Sequence, residues 1–164
     1  MIGLIAARSK NNVIGKNGHI PWKIQGEQKQ FKELTTGNVV IMGRKSYEEI
    51  GHPLPDRTTI VVSKTCNFTG ENLKTARSVK AALELAKTEH PDQDIYFAGG
   101  YNIYKEALPY VEIMYITEVE LTVPDGDTFF PEFDSSAFEI CVGENGGDDI
   151  KYKRTLYRRR HLCS

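Results

Sequence analysis

The chain has 164 residues, of which 40% are hydrophobic and 26% are charged, so it has the size and composition of one globular domain, which we expect to span 1–164. Its formal net charge of -1 argues against recognition of nucleic acid or of a membrane surface through bulk charge. Three cysteines without ligand spacing and four scattered histidines argue against a disulfide scaffold and against a metal site.

Short β-type runs dominate the chain, and the early ones alternate with helical patterns. The apolar run in MIGLIAARSK is too short to span a membrane and has its positive charge after it, so it predicts a first strand rather than a signal segment. Seven strands are predicted in all, over 2–7, 38–42, 59–63, 95–98, 113–119, 138–142 and 150–157.

The helical patterns lie between the early strands. Ser78 can cap a helix whose apolar positions are Val79, Ala82, Leu83 and Ala86, and a shorter helix is predicted over 101–108. Alternation of strand and helix implies parallel neighbours, whereas strands follow one another directly after Pro109. The sequence therefore predicts an α/β fold with a central mixed, mostly parallel sheet, flanking helices and C-terminal antiparallel strands.

A carboxylate lies on the apolar face of the helix predicted in the second half of GHIPWKIQGEQKQFKEL. Glu27, Phe31 and Leu34 are related as i, i+4 and i+7 and so share one face. Position alone favours a solvated acid in the first turn, which the helix dipole stabilises. The alternative is a partly buried carboxyl group whose pKa is raised by desolvation and which holds or relays a proton, with Trp22 as a wall of the pocket.

Two strand-to-helix turns have the composition of anion sites. The segment GNVVIMGRKS lacks the spacing of a phosphate-binding P-loop, but it predicts a strand ending at Gly43 and a helix opening with the residues 44–46. The second turn, 98–101, lacks the full dinucleotide fingerprint and is by itself more typical of a tight structural turn. The two turns support each other because ligands of open α/β sheets bind at the carboxyl ends of strands.

Two basic segments have two interpretations each. Arg57 ends the stiff loop HPLPDR and could bind a substrate carboxylate through two hydrogen bonds, or it could form a surface ion pair with Asp56. The arginines 158–160 are either an anion patch or, as their position favours, a solvated end of the last strand.

Taken in order, the segments resemble dihydrofolate reductases over 2–158. The resemblance is carried by VIG at 13–15, PW at 21–22, Phe31, IMGR at 41–44, IG at 50–51, PLP at 53–55, Arg57, GG at 99–100, IY at 103–104, GDT at 126–128 and FP at 130–131. It implies NADPH-dependent reduction of 7,8-dihydrofolate to 5,6,7,8-tetrahydrofolate by hydride transfer with protonation of the pterin.

The resemblance also implies roles for individual residues. Glu27 would grip the pterin and support its protonation, Thr117 would be its hydrogen-bonding partner, and Trp22 would help to order a water molecule. The segment 11–23 would be a mobile lid over the nicotinamide. Arg57 would hold the α-carboxylate of the substrate's glutamate tail.

Two larger sets of residues would surround the ligands. Those implied for the substrate are Ile5, Ala6, Glu27, Gln28, Phe31, Ile50, Leu54, Arg57, Tyr104 and Thr117. The cations at 44 and 64 would favour NADPH over NADH, and those implied for the cofactor are Ala7, Ile14, Gly15, Ile20, Gly43, Arg44, Lys45, Ser46, Ser63, Lys64, Arg77, Ala98, Gly99, Gly100, Tyr101, Asn102, Ile103 and Tyr104.

Departures from the usual family pattern suggest a subtype. Glu27 stands where many bacterial members have Asp, Gln28 where an apolar residue is common, and Ile20 and Asp56 also depart from frequent residues. The combination Gly26-Glu27-Gln28 is similar to that of mobile, trimethoprim-insensitive bacterial reductases, so weak inhibition by trimethoprim is expected.

The sequence leaves two alternative functions open. A pteridine or riboflavin-pathway reductase of the same fold would not need Arg57 to meet a glutamate tail. A module that binds a nucleotide without turnover is the third possibility, and Glu27, Trp22 and Thr117 argue against it. We expect a cytoplasmic monomer that binds dihydrofolate and antifolate inhibitors, without metal, nucleic acid or membrane.

Overall fold

The computed structural model of the protein describes residues 1–16, 20–22, 27–147 and 150–160, apart from the side chains of Glu27 and Val142. Within these residues, ten strands, four α-helices and one 3-10 turn follow one another. They are β1 (Ile2–Ser9), β2 (Val13–Gly15), α1 (Glu27–Thr35), β3 (Val39–Gly43), α2 (Arg44–Ile50), β4 (Thr58–Val62), β5 (Leu73–Ala76), α3 (Val79–Glu89), β6 (Ile95–Phe97), α4 (Tyr101–Ala107), β7 (Ile113–Val119), β8 (Thr128–Phe129), the 3-10 turn (Ser135–Ala137), β9 (Phe138–Gly146) and β10 (Tyr152–Arg159).

Eight of the strands form one mixed sheet in the order β5-β4-β3-β6-β1-β7-β10-β9. The six strands from β5 to β7 are parallel, and β10 and β9 join them in antiparallel fashion. The predicted parallel sheet closed by a C-terminal antiparallel pair is therefore confirmed. The remaining strands, β2 and β8, form a separate two-stranded sheet in the described part of the chain.

Helices cover both faces of the sheet, which agrees with the predicted α/β fold with flanking helices. On one face, α3 and α4 pack on a large cluster that includes Leu4, Ile41 and Phe97, all without exposed surface. On the other face, Phe31 of α1 and Tyr47 of α2 pack with Val40 and Met42 of β3. Side chains alternate along a strand, so β3, β4 and β5 each supply both clusters.

The helix predicted after Ser78 is confirmed residue by residue. The Ser78 hydroxyl accepts a hydrogen bond from the Ala81 amide at 3.0 Å, which caps the free end of α3. The positions 79, 82, 83 and 86 are all buried against the sheet. The local pattern and the tertiary packing therefore specify the same helix.

Three short strands were not expected from the sequence. β2 and β8 have three and two residues, and β5 is a four-residue edge strand with the sequence LKTA. Such segments carry too few alternating apolar residues to predict a strand. Their pairing comes from partners distant in the chain, as in the register between Val13 and Phe129.

One arginine, Arg159, fastens the last strand to the rest of the fold. Arg159 donates from Nε to the Val111 carbonyl at 2.8 Å and from Nη2 to the Leu108 carbonyl at 2.6 Å, and its guanidinium lies 4.7 Å from the centre of the Phe138 ring. This arginine therefore holds the end of α4, whereas Arg158 and Arg160 are exposed. The predicted solvated strand end holds for those two only.

Alkaline pH should weaken the fold through Tyr96. This side chain is 4% exposed on β6, and burial, together with repulsion from Tyr115 and Asp94, raises its pKa to about 12. The unfolded chain loses the same proton near pH 10. The contribution of Tyr96 to stability is therefore complete below about pH 10 and is lost as the pH rises toward 12.

We expect Tyr96→Phe to reduce the fall in the free energy of unfolding between pH 10 and pH 12 by about 1 to 2 kcal/mol. Urea unfolding followed by circular dichroism at several pH values measures this. Tyr110→Phe, at an exposed position, is the control and should follow the original protein. An unchanged pH dependence in Tyr96→Phe would contradict the assignment.

Candidate active site

The two glycine turns predicted from the sequence lie side by side at the carboxyl edge of the sheet. β3 and β6 are parallel neighbours, and the amide of Gly43 donates to the carbonyl of Gly99 at 2.8 Å. α2 begins directly after Gly43 and α4 directly after Gly100, and neither preceding glycine supplies a side-chain cap. Backbone amides of two turns therefore converge at one place, as required for an anionic ligand.

Tyr104 fixes the second turn against the first strand. Its hydroxyl donates to the Ile5 carbonyl at 2.9 Å, and its ring stacks on Phe130 with 5.2 Å between centres. A β-carbon on Gly99, which has a φ of +105°, would lie 3.1 Å from the Tyr104 oxygen. Only glycine fits there without strain, so the backbone of the turn stays uncovered by a side chain.

Basic side chains surround the ends of β3 and β4, which are parallel neighbours. Arg44 lies 3.4 Å from Glu48 on the next turn of α2, and Lys45 and Lys64 are exposed. Arg77 donates from Nη1 to the carbonyls of Ser63 at 2.9 Å and Cys66 at 2.8 Å, and from Nη2 to the side chain of Asn67. In this structure Arg77 thus organises the segment that carries Ser63 and Lys64.

Four of the residues expected around the ligands form one apolar wall. Phe31, Ile50, Leu54 and Ala98 are half-buried against the cluster of Val40, Met42, Tyr47, Val61 and Leu73. Ile5 and Ala7 lie on β1 with the alternation that directs them to this face. The Ala6 side chain packs instead in the large cluster on the opposite face, so only its backbone could contact a ligand there.

The described part of the predicted lid packs on its own small cluster. Trp22 is 9% exposed and packs with Val13, Val119 and Val123. The carbonyl of Gly15 accepts a hydrogen bond from the Asp127 amide at 3.1 Å, so β2 is held to the segment before β8. Ile14 and Gly15 are half-buried and Ile20 is exposed, while 17–19 and Lys23 lie outside the described residues.

The predicted catalytic group is located only in part. Glu27 is the first residue of α1, and its side chain lies outside the part of the chain that is described, as does Gly26. Thr117 is 2% exposed on β7, opposite Ala7 of β1 and Arg154 of β10. Arg154 is not among the residues predicted from the sequence, because only the strand register shows that this arginine stands beside Thr117.

Arg57 is a buried cation. It is 7% exposed, its Nε donates to the Pro55 carbonyl at 2.8 Å, and its Nη1 donates to the Thr35 hydroxyl at 2.9 Å. Burial lowers the pKa of the guanidinium, and attraction from Asp56 opposes only part of this shift. No carboxylate of the described residues lies within ion-pair distance, so the interpretation as a surface pair with Asp56 is wrong.

The described residues contain neither a cluster of metal ligands nor a helix that could span a membrane. Within 1–16, 20–22, 27–147 and 150–160, no three His, Cys, Asp or Glu side chains are grouped in a way that could hold a metal ion. In the same ranges, no helix combines the length and the apolar character needed to cross a membrane.

Comparison with known proteins gives one consistent result. A family model described as dihydrofolate reductase matches residues 1–160. The chain is 39% identical to dihydrofolate reductase type A13 of Escherichia coli over 160 residues, which covers 98% of this chain and 95% of that protein. It is 38% identical to a dihydrofolate reductase of Staphylococcus haemolyticus over 156 residues, covering 95% and 92% of the two chains.

A solved structure shows the same similarity in three dimensions. Dihydrofolate reductase from Enterococcus faecalis, complexed with NADP(H) and RAB-propyl, superposes with a TM-score of 0.85 at 32% sequence identity. The superposition covers 98% of this chain and 97% of that one. The likeness therefore extends over the whole sheet and all the helices described above.

Proposed function

Because the chain belongs to the dihydrofolate reductase family, we propose that it reduces 7,8-dihydrofolate to 5,6,7,8-tetrahydrofolate with NADPH as the hydride donor. The observation that carries this proposal is the buried, unpaired Arg57 at the end of the apolar wall of Phe31, Ile50 and Leu54. The apolar wall suits a flat ring and Arg57 suits a carboxylate, so the site fits a folate, which has both groups, better than a tail-less pterin.

The glycine turns and the cations beside them supply the proposed cofactor site. The uncovered backbone at 99–100 and the helix start at 43–46 suit a pyrophosphate, and Ser63 and Lys64 suit the extra 2'-phosphate of NADPH. Tyr101, Asn102 and Ile103 begin α4 beside this backbone, and Arg77 holds the Ser63 segment in place. Bound NADPH would supply the hydride, and Ile14, Gly15 and the exposed Ile20 would belong to the lid over the nicotinamide.

The substrate is proposed to lie between α1, α2 and the first strand. Ile5, Phe31, Ile50, Leu54 and Tyr104 would contact the pterin and benzoyl rings, and Arg57 would hold the tail carboxylate. Glu27 would bind the pterin amino group and support protonation of the ring. Thr117 would be the hydrogen-bonding partner of Glu27. The packing of Trp22 against Val13 and Val119 supports a water-excluding wall beside this acid.

A steady-state assay that follows NADPH absorbance in the presence of dihydrofolate tests the activity directly. We expect turnover with dihydrofolate and a preference for NADPH over NADH of about tenfold or more in kcat/KM, because a lost phosphate contact costs at least one charge-assisted hydrogen bond. Equal efficiency with both cofactors would contradict the phosphate site. Oxidation of NADPH with a tail-less pterin but not with dihydrofolate would favour a pteridine or riboflavin-pathway reductase instead, and no turnover with either would favour a binding module.

The proposal includes the trimethoprim-insensitive subtype. Gln28 is exposed on the first turn of α1, directly after the proposed acid, where it could change how a diaminopyrimidine sits. We expect a weak inhibition constant for trimethoprim, and we expect the double substitution Glu27→Asp with Gln28→Leu to tighten it about tenfold or more. Lys29→Leu, an exposed neighbour, is the control. Tight inhibition of the original protein would contradict the subtype.

A monomeric state and a cytoplasmic location complete the proposed function. Light scattering on the purified protein measures its mass in solution, for which we expect the 18.5 kDa of one chain. Fractionation of cells that express it tests the location.

A further inference from the structure

The cation at the proposed tail site is oriented from inside the protein by one hydroxyl group. Thr35, the last residue of α1, has no exposed surface. Its hydroxyl donates to the Phe31 carbonyl at 2.7 Å and accepts from Arg57 Nη1 at 2.9 Å. A hydroxyl has a single proton, so once that proton is donated to the carbonyl, a lone pair is left to face the guanidinium.

The orientation of Arg57 is fixed by a second acceptor. Nε donates to the Pro55 carbonyl at 2.8 Å, in a loop stiffened by prolines at 53 and 55. Two hydrogen bonds on two nitrogens define the plane of the guanidinium, because the fork of donors is rigid. The third nitrogen, Nη2, has no hydrogen-bond partner among the described residues, so it is the group left to meet a ligand.

We propose that Thr35 is a positioning residue that determines the preference for substrates with a carboxylate-bearing tail. This inference rests on the proposed function, since it assigns the tail to Arg57. Without the Thr35 hydroxyl, Nη1 is a buried donor with no acceptor, and the guanidinium is free to rotate toward another partner. Binding of the tail then weakens, while the apolar wall that contacts the rings keeps its shape.

The neighbouring threonine separates this role from simple stabilisation of the helix end. Thr36 is exposed, and its hydroxyl donates to the Lys32 carbonyl at 2.6 Å, just as that of Thr35 donates to Phe31. Both hydroxyls therefore bond back to the last turn of α1, but among the two threonines it is the Thr35 hydroxyl that accepts a hydrogen bond from Arg57. Thr36→Val is thus a matched control for the loss of a hydroxyl at this helix end.

The test compares dihydrofolate with a tail-less dihydropterin, both with NADPH, on the same preparations of the variants. Thr35→Val is expected to raise KM for dihydrofolate about tenfold, the effect of one hydrogen bond to a charged group, with kcat within about twofold. KM for the tail-less pterin should not change. Thr35→Ser, which keeps the hydroxyl, and Thr36→Val should both behave as the original protein.

Each other outcome overturns the inference. An equal rise of KM for both substrates, a loss confined to kcat, or the same defect in Thr35→Ser would show that Thr35 does not act through Arg57. In an Arg57→Leu background, Thr35→Val should add no further rise, and an additive effect would also overturn the inference. If Thr35→Val is insoluble, Thr35→Cys takes its place with the same expected direction. Failure of the original protein to turn over dihydrofolate would instead contradict the proposed function.

Discussion

Glu27→Gln is expected to lower kcat/KM for dihydrofolate by about two to three orders of magnitude at neutral pH. The substitution keeps the size of the side chain and removes the one group proposed to support protonation of the pterin. The proton must then come from solvent, so the residual rate should rise about tenfold for each unit by which the pH is lowered. Steady-state rates between pH 5 and pH 9 measure both effects.

The controls for this result lie on the same helix. Glu33→Gln removes a carboxylate from an exposed position of α1 and should leave the rates unchanged. Glu27→Asp keeps an acid and should retain most of the activity near neutral pH. A pH-independent loss in Glu27→Gln would indicate that Glu27 only binds substrate, and no loss would support the solvated acid that its position alone favours.

Gly126→Ala is expected to displace β2 and, with it, the cluster that holds Trp22. A β-carbon on Gly126 would lie 2.4 Å from both γ-carbons of Val13, a side chain with no exposed surface. The added methyl group cannot fit there unless neighbouring atoms move. Overpacking of this kind lowers the free energy of unfolding by about 1 to 3 kcal/mol. Because Val13 and Trp22 share one cluster, we also expect kcat/KM to fall about tenfold or more.

Thermal unfolding and steady-state rates check the Gly126 prediction. Gly70→Ala is the matched control, because a β-carbon there would meet only Leu73 at 3.8 Å. The double substitution Gly126→Ala with Val13→Ala removes the γ-carbons that collide and should recover part of the lost stability. Equal behaviour of the two alanine variants would contradict the role given to this contact.

The sequence predicted the sheet well because its central strands are specified locally. VVIM is apolar throughout, TIVVS has three apolar residues in succession, and the helix after Ser78 has both its cap and its apolar period within eleven residues. The meeting of the turns at 43 and 99 followed from the rule for parallel strands, and the hydrogen bond between those glycines confirms it. By contrast, β2 and β8 exist only through a pairing that no local pattern shows.

The candidate site was less predictable where partners come from distant segments. Asp56 is adjacent to Arg57 in the chain, which favoured a surface ion pair, but Asp56 has a φ of 60° and the arginine is held by Thr35 and Pro55 instead. Arg77 was expected to contact the cofactor. In the structure its guanidinium donates hydrogen bonds to backbone carbonyls of the 63–67 segment, and no sequence pattern indicates where those carbonyls lie. Arg154 beside Thr117 likewise follows from register alone.

The position of the first strand has a consequence for how the chain folds during synthesis. β1 lies at the centre of the sheet, yet its only partners in the eight-stranded sheet are β6 and β7, which come from the second half of the chain. β3, β4 and β5 can associate as soon as they have left the ribosome, whereas the edge of β1 that pairs with β6 stays open until residue 97 has emerged and the edge that pairs with β7 until residue 119 has emerged. Contacts of such long range slow folding, and the edges of the nascent first strand are exposed to pairing with other chains in the meantime.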